Sequence, residues 1–402
     1  MADRFPGGVI SKTPPTVVGP VDGEGGSASG VWTLDEVLGY EKAGSWPGRV
    51  LPRELYAWGL NSDGRLGDST TVNKSSPVQI GALTNWAQVS GNSFATSVKT
   101  DGTLWTWGQN GSGQLGDGTI VNKSSPVQVG ALTTWTQVSG GSTHTVAITL
   151  GGELYAWGSN NRGQLGDGTV VNRSSPVQVG ALTTWAQISA GNGHTASIKT
   201  DGTLWTWGYN NRGQLGDGTV VNKSSPIQVG ALTDWLQVSA GGRQTAAITL
   251  GNELYAWGYN GVGQLGDGTV VYKSSPVQIG ALTNWAQVST VGGQTASIKT
   301  DGTIWTWGNN NNGQLGDNTV VAKSSPVQVG ALTNWAQVSV GDAHTAAIKT
   351  DGTLWVWGGN SPNGQLGDGT TVNKSSPVQI GALTNWTQVA AGNVFSAAVT
   401  RG

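Results

Sequence analysis

Short runs of alternating apolar and polar residues follow one another along most of the chain, separated by Gly, Asn, Asp or Pro. Side chains of a β-strand alternate between two faces, so residues two apart share a face. One stretch predicts four strands, over residues 185–189, 194–200, 203–208 and 225–229. Four short strands within about 50 residues are typical of one blade of a β-propeller.

Two features of this stretch predict how its strands connect. Asp201-Gly202 lies between the second and third strands and predicts a two-residue hairpin turn with positive φ at both residues. Pro226 has no amide hydrogen to donate, which predicts that the fourth strand starts with it or lies at a sheet edge.

Tryptophans repeat this pattern seven times. One series recurs once per repeat, at Trp58, Trp107, Trp157, Trp207, Trp257, Trp307 and Trp357. A second tryptophan follows each member of this series at a constant offset, which is one position longer only in the last repeat. This second series is Trp86, Trp135, Trp185, Trp235, Trp285, Trp335 and Trp386. Such regular spacing predicts that these tryptophans pack a core rather than bind a ligand.

The two ends of the repeat array predict how the ring closes. The array opens with a third-type strand at residues 54–59 and a fourth-type strand at 76–80, and it ends with first-type and second-type strands at 386–389 and 395–400. Pairing these strands hides sheet edges that are otherwise exposed. We therefore predict an all-β fold, a seven-bladed β-propeller over residues 54–402 with four-stranded blades and 2+2 strand closure between the termini.

Composition narrows the functional classes. The formal net charge is −2 and only 11% of residues are charged, which does not favour a general nucleic-acid binder. The chain has no cysteine, and therefore no disulfide or thiolate chemistry. No apolar stretch is long enough for a membrane-spanning helix, so we expect no membrane insertion, and the first residues lack the apolar core of a signal peptide.

Charged residues and histidines also repeat, which argues against a catalytic site, because a catalytic site breaks the symmetry of a repeat protein. We expect no enzyme activity, no cofactor and no metal site.

Aspartates recur at Asp68, Asp117, Asp167, Asp217, Asp267, Asp317 and Asp368, which predicts Asx-type turns, with calcium as the alternative. Cations recur at Lys74, Lys123, Arg173, Lys223, Lys273, Lys323 and Lys374, which predicts solvated or paired charge, with a central anion site as the alternative. His144, His194 and His344 share a position that holds Phe or Gln in other repeats, which predicts a structural role.

Positions where the repeats differ are the candidate binding residues of the propeller. Tyr209, Arg212, Arg243 and Tyr259 lie in consecutive repeats, and Tyr and Arg are enriched at binding hot spots. We predict a partner-binding loop patch formed by these four residues, with sequence drift in exposed loops as the competing explanation.

Residues 1–53 do not follow the repeat and are predicted to form a separate N-terminal arm. Residues 12–30 are rich in Pro, Gly and Ser, which predicts an extended segment. Thr33 and Glu36 form a capping box, which predicts one short helix over about residues 33–43. So short a helix needs a surface to pack against. The residues predicted to contact a partner are Phe5, Trp32, Leu34, Val37, Leu38 and Trp46.

The repeat resembles the RCC1 repeat family, on residues 207–218, Trp-Gly-Tyr-Asn-Asn-Arg-Gly-Gln-Leu-Gly-Asp-Gly, followed by Ser-Pro, Trp-Leu-Gln-Val-Ser-Ala-Gly and, in other repeats, His-Thr-Ala. That family contains seven-bladed propellers, among them a chromatin-bound guanine-nucleotide exchange factor and a secreted β-lactamase inhibitor. The resemblance implies a scaffold that binds proteins. Exchange activity is not expected, because the loops are short and no basic tail is present.

The arm resembles the N-termini of virion structural proteins of tailed phages, including aquatic ones, on Arg4-Phe-Pro-Gly-Gly-Val-Ile-Ser-Lys, Gly30-Val-Trp-Thr-Leu-Asp-Glu-Val and Ser45-Trp-Pro-Gly. This resemblance implies a non-enzymatic virion protein whose residues 1–50 bind other virion proteins of the head or tail. The propeller is then displayed at the particle surface as a decoration, fibre or host-contact module, with a host surface molecule at its loops and self-association as further expectations. The alternative is a soluble, extracellular RCC1-like propeller that binds or inhibits a protein.

Overall fold

The structure is a computed structural model that describes Arg4–Phe5, Gly8–Val9 and residues 52–402. It divides the chain into two compact units, Met1–Pro52 and Arg53–Gly402. In the first unit, strands β1 (Arg4–Phe5) and β2 (Gly8–Val9) pair antiparallel. The helix predicted over residues 33–43 lies outside the described residues. No helix of the described residues is long and apolar enough to cross a membrane.

The second unit contains 28 strands, β3 to β30, in seven four-stranded sheets. In chain order, blade 1 begins with β3 (Leu55–Gly59) and β4 (Lys74–Gln79). Blade 2 is β5 (Trp86–Gly91), β6 (Phe94–Lys99), β7 (Leu104–Gly108) and β8 (Lys123–Gln128). Blade 3 is β9 (Trp135–Gly140), β10 (His144–Thr149), β11 (Leu154–Gly158) and β12 (Arg173–Gln178). Blade 4 is β13 (Trp185–Ala190), β14 (His194–Lys199), β15 (Leu204–Gly208) and β16 (Lys223–Gln228).

The remaining blades repeat the same order. Blade 5 is β17 (Trp235–Ala240), β18 (Gln244–Thr249), β19 (Leu254–Gly258) and β20 (Lys273–Gln278). Blade 6 is β21 (Trp285–Val291), β22 (Gln294–Lys299), β23 (Ile304–Gly308) and β24 (Lys323–Gln328). Blade 7 is β25 (Trp335–Val340), β26 (His344–Lys349), β27 (Leu354–Gly358) and β28 (Lys374–Gln379). Strands β29 (Trp386–Ala391) and β30 (Phe395–Thr400) complete blade 1.

Every blade is an antiparallel sheet in the order first, second, third and fourth strand. The first strand of each blade packs against the first strands of both neighbours, which places it at the centre of the ring. Second strands are buried along their whole length, and fourth strands are half-exposed. The fourth strand is therefore the outer edge, as Pro226 predicts, and the predicted all-β seven-bladed propeller is confirmed.

Blade 1 closes the ring with strands from both ends of the array. Its order is β29-β30-β3-β4, and β3 pairs with β30 from Leu55 opposite Val399 to Gly59 opposite Phe395. The predicted 2+2 closure is therefore confirmed. Closure of this kind leaves no unpaired strand at the seam.

The turn between the second and third strands differs from the prediction. Only Gly202 has a positive φ, at 76°, and Asp201 does not. The Gly202 amide donates to the Lys199 carbonyl at 2.9 Å, and the Lys199 amide donates to the Thr203 carbonyl at 3.0 Å. This is a type I turn followed by a glycine bulge rather than a two-residue turn. Asp201 favours it, because its carboxylate accepts the Thr203 amide and hydroxyl.

The two tryptophan series pack in the core, as predicted, and they contact each other within each blade. Their rings meet edge to face, with centroids 5.9–6.4 Å apart in all seven blades. Trp257 is completely buried, and its indole nitrogen lies against Gly216 of the preceding blade. A Cβ on Gly216 would lie 2.7 Å from that nitrogen, so the glycine is required for close contact between blades.

A ring of glutamines links the first strands of all seven blades. Each glutamine Oε1 accepts the amide of a residue in the next blade, at 2.7–3.0 Å. The seven glutamines are Gln88, Gln137, Gln187, Gln237, Gln287, Gln337 and Gln388. Gln388 bonds to the Val89 amide, so the ring of bonds continues across the seam between the two ends of the propeller.

Candidate functional site

One end of the propeller carries both sets of variable loops. Because strands alternate in direction, the loop between the first and second strands and the loop between the third and fourth strands emerge at the same end of each blade. We call this end the loop face. The positions where the repeats differ in sequence therefore lie together on one surface.

Each long loop of this face is built around a buried asparagine. In blade 4, Asn210 is fully buried, donates to Asp217 Oδ1 at 3.1 Å and accepts the Leu215 amide at 2.9 Å. The Asp217 carboxylate also accepts the Thr219 amide at 3.0 Å. Asn61, Asn110, Asn160, Asn260, Asn310 and Asn360 occupy the same position in the other blades. The predicted Asx-type turns at the repeated aspartates are confirmed.

The repeated cations of the loop face pair with these aspartates, also as predicted. The Lys223 ammonium lies 3.5 Å from Asp217 Oδ2, and the seven such distances are 3.2–3.7 Å. Burial raises the pKa of Asp217, but the Thr219 hydrogen bonds and nearby groups outweigh it and hold the pKa below its usual value. The described residues contain no cluster of three or more potential metal ligands. Each repeated aspartate therefore has a cationic partner within its own repeat.

The structure places the four predicted residues on the loop face in two clusters, one between blades 3 and 4 and one between blades 4 and 5, and each cluster includes one further residue. Tyr209 lies in blade 4, and its ring stacks under the guanidinium of Arg162 from blade 3, 4.4 Å from the ring centroid. Arg212 lies over two rings from blade 5, 5.9 Å from the centroid of Tyr259 and 5.2 Å from that of Tyr272. The two tyrosine rings are themselves 4.8 Å apart. We call Arg162, Tyr209, Arg212, Arg243, Tyr259 and Tyr272 the Arg–Tyr patch.

Arg243 reaches the patch from the other loop of blade 5. Its carbonyl accepts the Tyr259 amide at 2.8 Å, and its side chain is exposed. Among the described residues, no carboxylate forms an ion pair with Arg162, Arg212 or Arg243, whereas the seven repeated cations are all paired. The Arg212 Nε is buried and has no acceptor among these residues. Stacking on tyrosine rings, rather than ion pairing, fixes Arg162 and Arg212.

Glycine permits the position of Tyr259. A Cβ on Gly261 would lie 2.3 Å from the Tyr259 hydroxyl oxygen. Gly111, the equivalent residue of blade 2, has no atom within 4 Å of a Cβ built there. The tyrosine ring therefore uses the space that the missing side chain of Gly261 leaves.

Sequence reasoning missed Arg162 and Tyr272, although both gave a signal. Arg162 is the counterpart of Arg212 one repeat earlier. The residue equivalent to Tyr272 in blade 4 is Asn222, whose side chain accepts the Asn210 amide at 2.9 Å. Both residues break the repeat, as Tyr209 and Tyr259 do, but only the structure shows that they contact them.

The three histidines are structural, as predicted. His144 is fully buried, and its Nε2 lies 3.0 Å from Thr195 Oγ1 in the next blade. Gln244 and Gln294 also reach into the following blade from the same position. Phe94 and Phe395 fill the position with an apolar ring. The side chains at this position connect neighbouring blades.

The predicted anchor residues of the arm have no described side chains. Trp32, Leu34, Val37, Leu38 and Trp46 lie outside the described residues. Phe5 lies in β1, where its backbone pairs with Gly8. Contact of these six residues with a partner stays a prediction.

Comparisons with known families and structures agree with the fold. The profile of the RCC1-like domain matches residues 50–297, more than half of the chain. Profiles of the RCC1 (Regulator of chromosome condensation) repeat match residues 301–348, 351–399 and, in a second version, 335–365. Comparison of the sequence with curated proteins gave no match.

Solved structures are similar over nearly all of the propeller. Human WBSCR16 is 22% identical, with a TM-score of 0.78, and the match covers 87% of this chain and 99% of that one. Yeast RCC1 (Prp20), in a structure with bound Kap60, is 19% identical, with a TM-score of 0.79 and coverage of 88% and 89%. Prp20p from Saccharomyces cerevisiae, studied with its binding to Gsp1p and histones, is 20% identical, with a TM-score of 0.77 and coverage of 88% and 92%. At these identities the similarity concerns the fold.

Proposed function

This chain belongs to the RCC1-like domain family, and we propose that it is a non-enzymatic propeller that binds a protein partner through the Arg–Tyr patch. The observation that carries the proposal is the patch itself. It contains three arginines without a carboxylate partner among the described residues, grouped with three tyrosines across blades 3, 4 and 5. Arg and Tyr side chains are among the groups most often found at the energetic centre of protein interfaces.

The rest of the loop face supports this assignment by contrast. At the position of Tyr209 the other blades carry Leu60, Gln109, Ser159, Asn309 and Gly359, apart from Tyr259 in blade 5. A partner that recognises the Arg–Tyr patch would therefore bind one sector of the ring, and the other blades would act as scaffold.

The charge of the patch favours a partner that presents acidic side chains. A guanidinium donates in a planar fork that matches a carboxylate, and stacking on a ring leaves its edge free to donate. Because the tyrosines already hold Arg162 and Arg212, less side-chain entropy is lost when a partner binds.

Family relatives support protein binding as the shared activity. Prp20 has been studied in complex with Kap60 and for its binding to Gsp1p and histones. These partners belong to Prp20, and the patch described above is a property of this chain. What is carried over is the use of an RCC1-like propeller as a protein-binding scaffold.

Site-specific photo-crosslinking tests the proposal. A photoreactive amino acid replaces Tyr209 or Tyr259 in one set of variants and Gln109, the equivalent residue of blade 2, in the control. We expect discrete protein adducts in producing cells from the two patch positions and none from position 109. Equal labelling at all three positions, or none at any, would contradict the proposal.

The acidic character of the partner is tested with the protein recovered from the adduct. Removal of three charges, in Arg162→Ala/Arg212→Ala/Arg243→Ala, is expected to weaken binding at least 100-fold, since hot-spot arginines contribute about 2 kcal/mol or more each. Arg173→Ala is the matched control, because it removes an arginine that is paired with Asp167. Equal losses in both variants would show that the patch arginines have no special role.

The virion role predicted from residues 1–50 has no support from the family and structure comparisons. It rests on the sequence of the arm alone, and it stays a prediction together with a location on a particle surface. The protein-binding function, which is the alternative that the sequence predicts, is the one that the fold and family favour.

A further inference from the structure

A second feature distinguishes the blades and lies apart from the Arg–Tyr patch. Four second strands end in lysine, at Lys99, Lys199, Lys299 and Lys349, and three end in threonine, at Thr149, Thr249 and Thr400. The aromatic residue on the adjacent third strand changes with them. It is tryptophan in each lysine blade and tyrosine in each threonine blade.

In the threonine blades, the chain supplies a carboxylate at this place. Thr249 Oγ1 donates to Glu253 Oε2 at 3.2 Å in blade 5. The equivalent pair in blade 3 is Thr149 with Glu153, and in blade 1 the Tyr56 hydroxyl donates to Glu54 at 2.8 Å. Each of these three blades therefore contains an acidic side chain bonded to its own neighbours.

In the lysine blades, an ammonium is present, and the acidic residue of the turn is an aspartate two positions before the place of the glutamate. Lys299 is 6% exposed, and its Nζ lies 3.8 Å from the ring centroid of Trp305 and 4.8 Å from that of Trp285. Threonine replaces the glutamate, and Thr303 instead accepts the Trp305 indole N–H. The Lys299 Nζ forms no ion pair and no hydrogen bond among the described residues, and it is not one of the fully buried unpartnered nitrogens, so it keeps contact with solvent. Asp301 lies beyond ion-pair distance and is held by Thr303.

This ammonium lines a groove between blades 5 and 6. The groove has a volume of about 600 Å³, which is in the range of small-molecule sites. Its wall contains the apolar residues Val277, Ile279, Leu282, Trp305 and Pro326. Polar residues and the Lys273–Asp267 ion pair also line it, so Lys299 is its one cation without an ion-pair partner among the described residues. A groove with a large apolar wall and one unpaired cation matches a ligand that joins an apolar body to an anionic group.

We propose that the groove between blades 5 and 6 binds an organic carboxylate, with its carboxylate on Lys299 and its apolar body against Trp305 and Leu282. The carboxylate of the ligand lies in blade 6 at the place where blade 5 has the side-chain carboxylate of Glu253. A peptide C-terminus and a free organic acid share this chemistry. The same lysine–tryptophan pair, with Nζ 3.6–3.8 Å from the ring centroid, extends the proposal to Lys99, Lys199 and Lys349.

Calorimetric titration of the full chain with 4-phenylbutyrate tests the proposal. We expect saturable binding with a Kd of about 1 mM or tighter. The neutral amide, 4-phenylbutyramide, lacks the anion, and acetate lacks the apolar body, so both are expected to bind at least 10-fold more weakly. Equal heats from the acid and the amide would overturn the assignment of Lys299 as the carboxylate partner.

Two variants test whether the carboxylate binds in this groove. Lys299→Gln removes the charge and keeps the tryptophan, and Lys299→Thr/Thr303→Glu/Trp305→Tyr gives blade 6 the residues that blade 5 already carries. The second variant is expected to fold, because three natural blades have this combination, and a urea unfolding curve checks it. Each variant is expected to lose one site per chain. Unchanged stoichiometry and affinity in both folded variants would overturn the proposal.

Two peptides distinguish the two sources of the carboxylate. The probes are N-acetyl-Gly-Gly-Phe with a free C-terminus and the same peptide with a C-terminal amide. Tighter binding of the free peptide than of 4-phenylbutyrate indicates a chain terminus as the ligand, and weaker binding indicates a free acid. Binding of neither carboxylate would leave Lys299 as a structural cation over Trp305 and would refute the site.

Discussion

For single residues, hydrogen-bond direction fixes the state of the three buried histidines. Thr195 Oγ1 donates its hydrogen to the Gln164 carbonyl at 2.8 Å, so it accepts from His144 Nε2. His144 is therefore the Nε2–H tautomer, and its Nδ1 is buried without a partner among the described residues. His194 and His344 repeat this arrangement with Thr245 and Ser396. A second proton on any of them would be a buried charge without an acceptor.

Acid is therefore expected to destabilise the propeller through these histidines. Burial lowers the pKa of His144 and His344 to about 4 and that of His194 to about 3. Because these values lie below the unfolded value of about 6.5, the unfolded chain takes up protons first as the pH falls. Stability is full above about pH 6.5 and is lost between there and about pH 4, by on the order of 1 kcal/mol per histidine and pH unit. Urea unfolding at pH 7.0, 5.5 and 4.5 measures the loss.

The chain supplies its own control for this prediction. Gln244 and Gln294 occupy the same position and bond to the next blade without titrating. His144→Gln/His194→Gln/His344→Gln is expected to flatten the pH dependence above pH 4.5. The repeated aspartates have pKa values below 3.8, so their contribution to stability is lost only as the pH approaches and passes that value, at the lower edge of this window. An identical pH dependence in the variant would rule out the histidines as its cause.

Among the strands, serines form a second set of bonds between the blades, and one of them is missing. Six serine hydroxyls accept an amide of the following blade, as Ser189 accepts from Ala240 at 2.8 Å. The others are Ser90, Ser139, Ser239, Ser289 and Ser339. The seventh position is Ala390, in β29, so no serine oxygen reaches Gly91 across the seam. The glutamine bond from Gln388 is retained there.

Restoring this serine is expected to strengthen the seam. Ala390→Ser places a hydroxyl where six other blades have one, and a net gain of about 0.5–1.5 kcal/mol in the free energy of unfolding is expected. Ser189→Ala is the matched control and should lower stability by a similar amount or more, because the Ala240 amide loses its acceptor. Chemical denaturation of both variants gives the comparison. A destabilised Ala390→Ser variant would show that the seam packs differently from the other interfaces.

In the molecule as a whole, the ring closes with residues of the second unit alone. Strands β3 and β30 pair directly, and the described propeller begins at Arg53 and ends at Gly402. The described strands of the first unit, β1 and β2, belong to none of the seven blades. Folding of the propeller is therefore expected to be independent of the N-terminal residues.

Two truncations test this independence. Deletion of residues 1–52 is expected to leave the Tm of the propeller within about 2 °C of the full chain, because no blade strand is lost. Deletion of residues 386–402 removes β29 and β30 and opens blade 1, so cooperative unfolding should disappear. Circular dichroism during heating measures both. A large loss of stability in the first deletion would show that the arm is part of the folded propeller.

The same N-terminal deletion tests the predicted virion role. If residues 1–50 anchor the chain, the full-length protein should co-sediment with particles of a phage that encodes it, and the truncated propeller should remain in the supernatant. Photo-crosslinking through Tyr209 is scored separately, so failure of the anchoring prediction leaves the protein-binding proposal untouched. Particles that incorporate both forms equally would contradict anchoring by the arm.

The blade, its seven-fold repetition and the closure of the ring could all be predicted from the sequence. They follow from local periodicity, since alternating strands, turn residues and tryptophan spacing act within a single repeat. The pairing of Asp217 with Lys223 was predictable for the same reason, because both belong to one repeat. The turn at Asp201-Gly202 was predicted with the wrong geometry, because the bonds of Thr203 to Asp201 favour a longer loop.

The contacts between residues of different blades could not be predicted, because they depend on how the blades pack. Arg212 and Tyr272 lie in successive repeats, and their stacking depends on how blade 4 is rotated against blade 5. Likewise, the unpaired ammonium of Lys299 lines a groove only because the preceding blade supplies the opposite wall. A repeat pattern describes one blade at a time, whereas both proposed binding sites lie between blades, where the distances are set by packing.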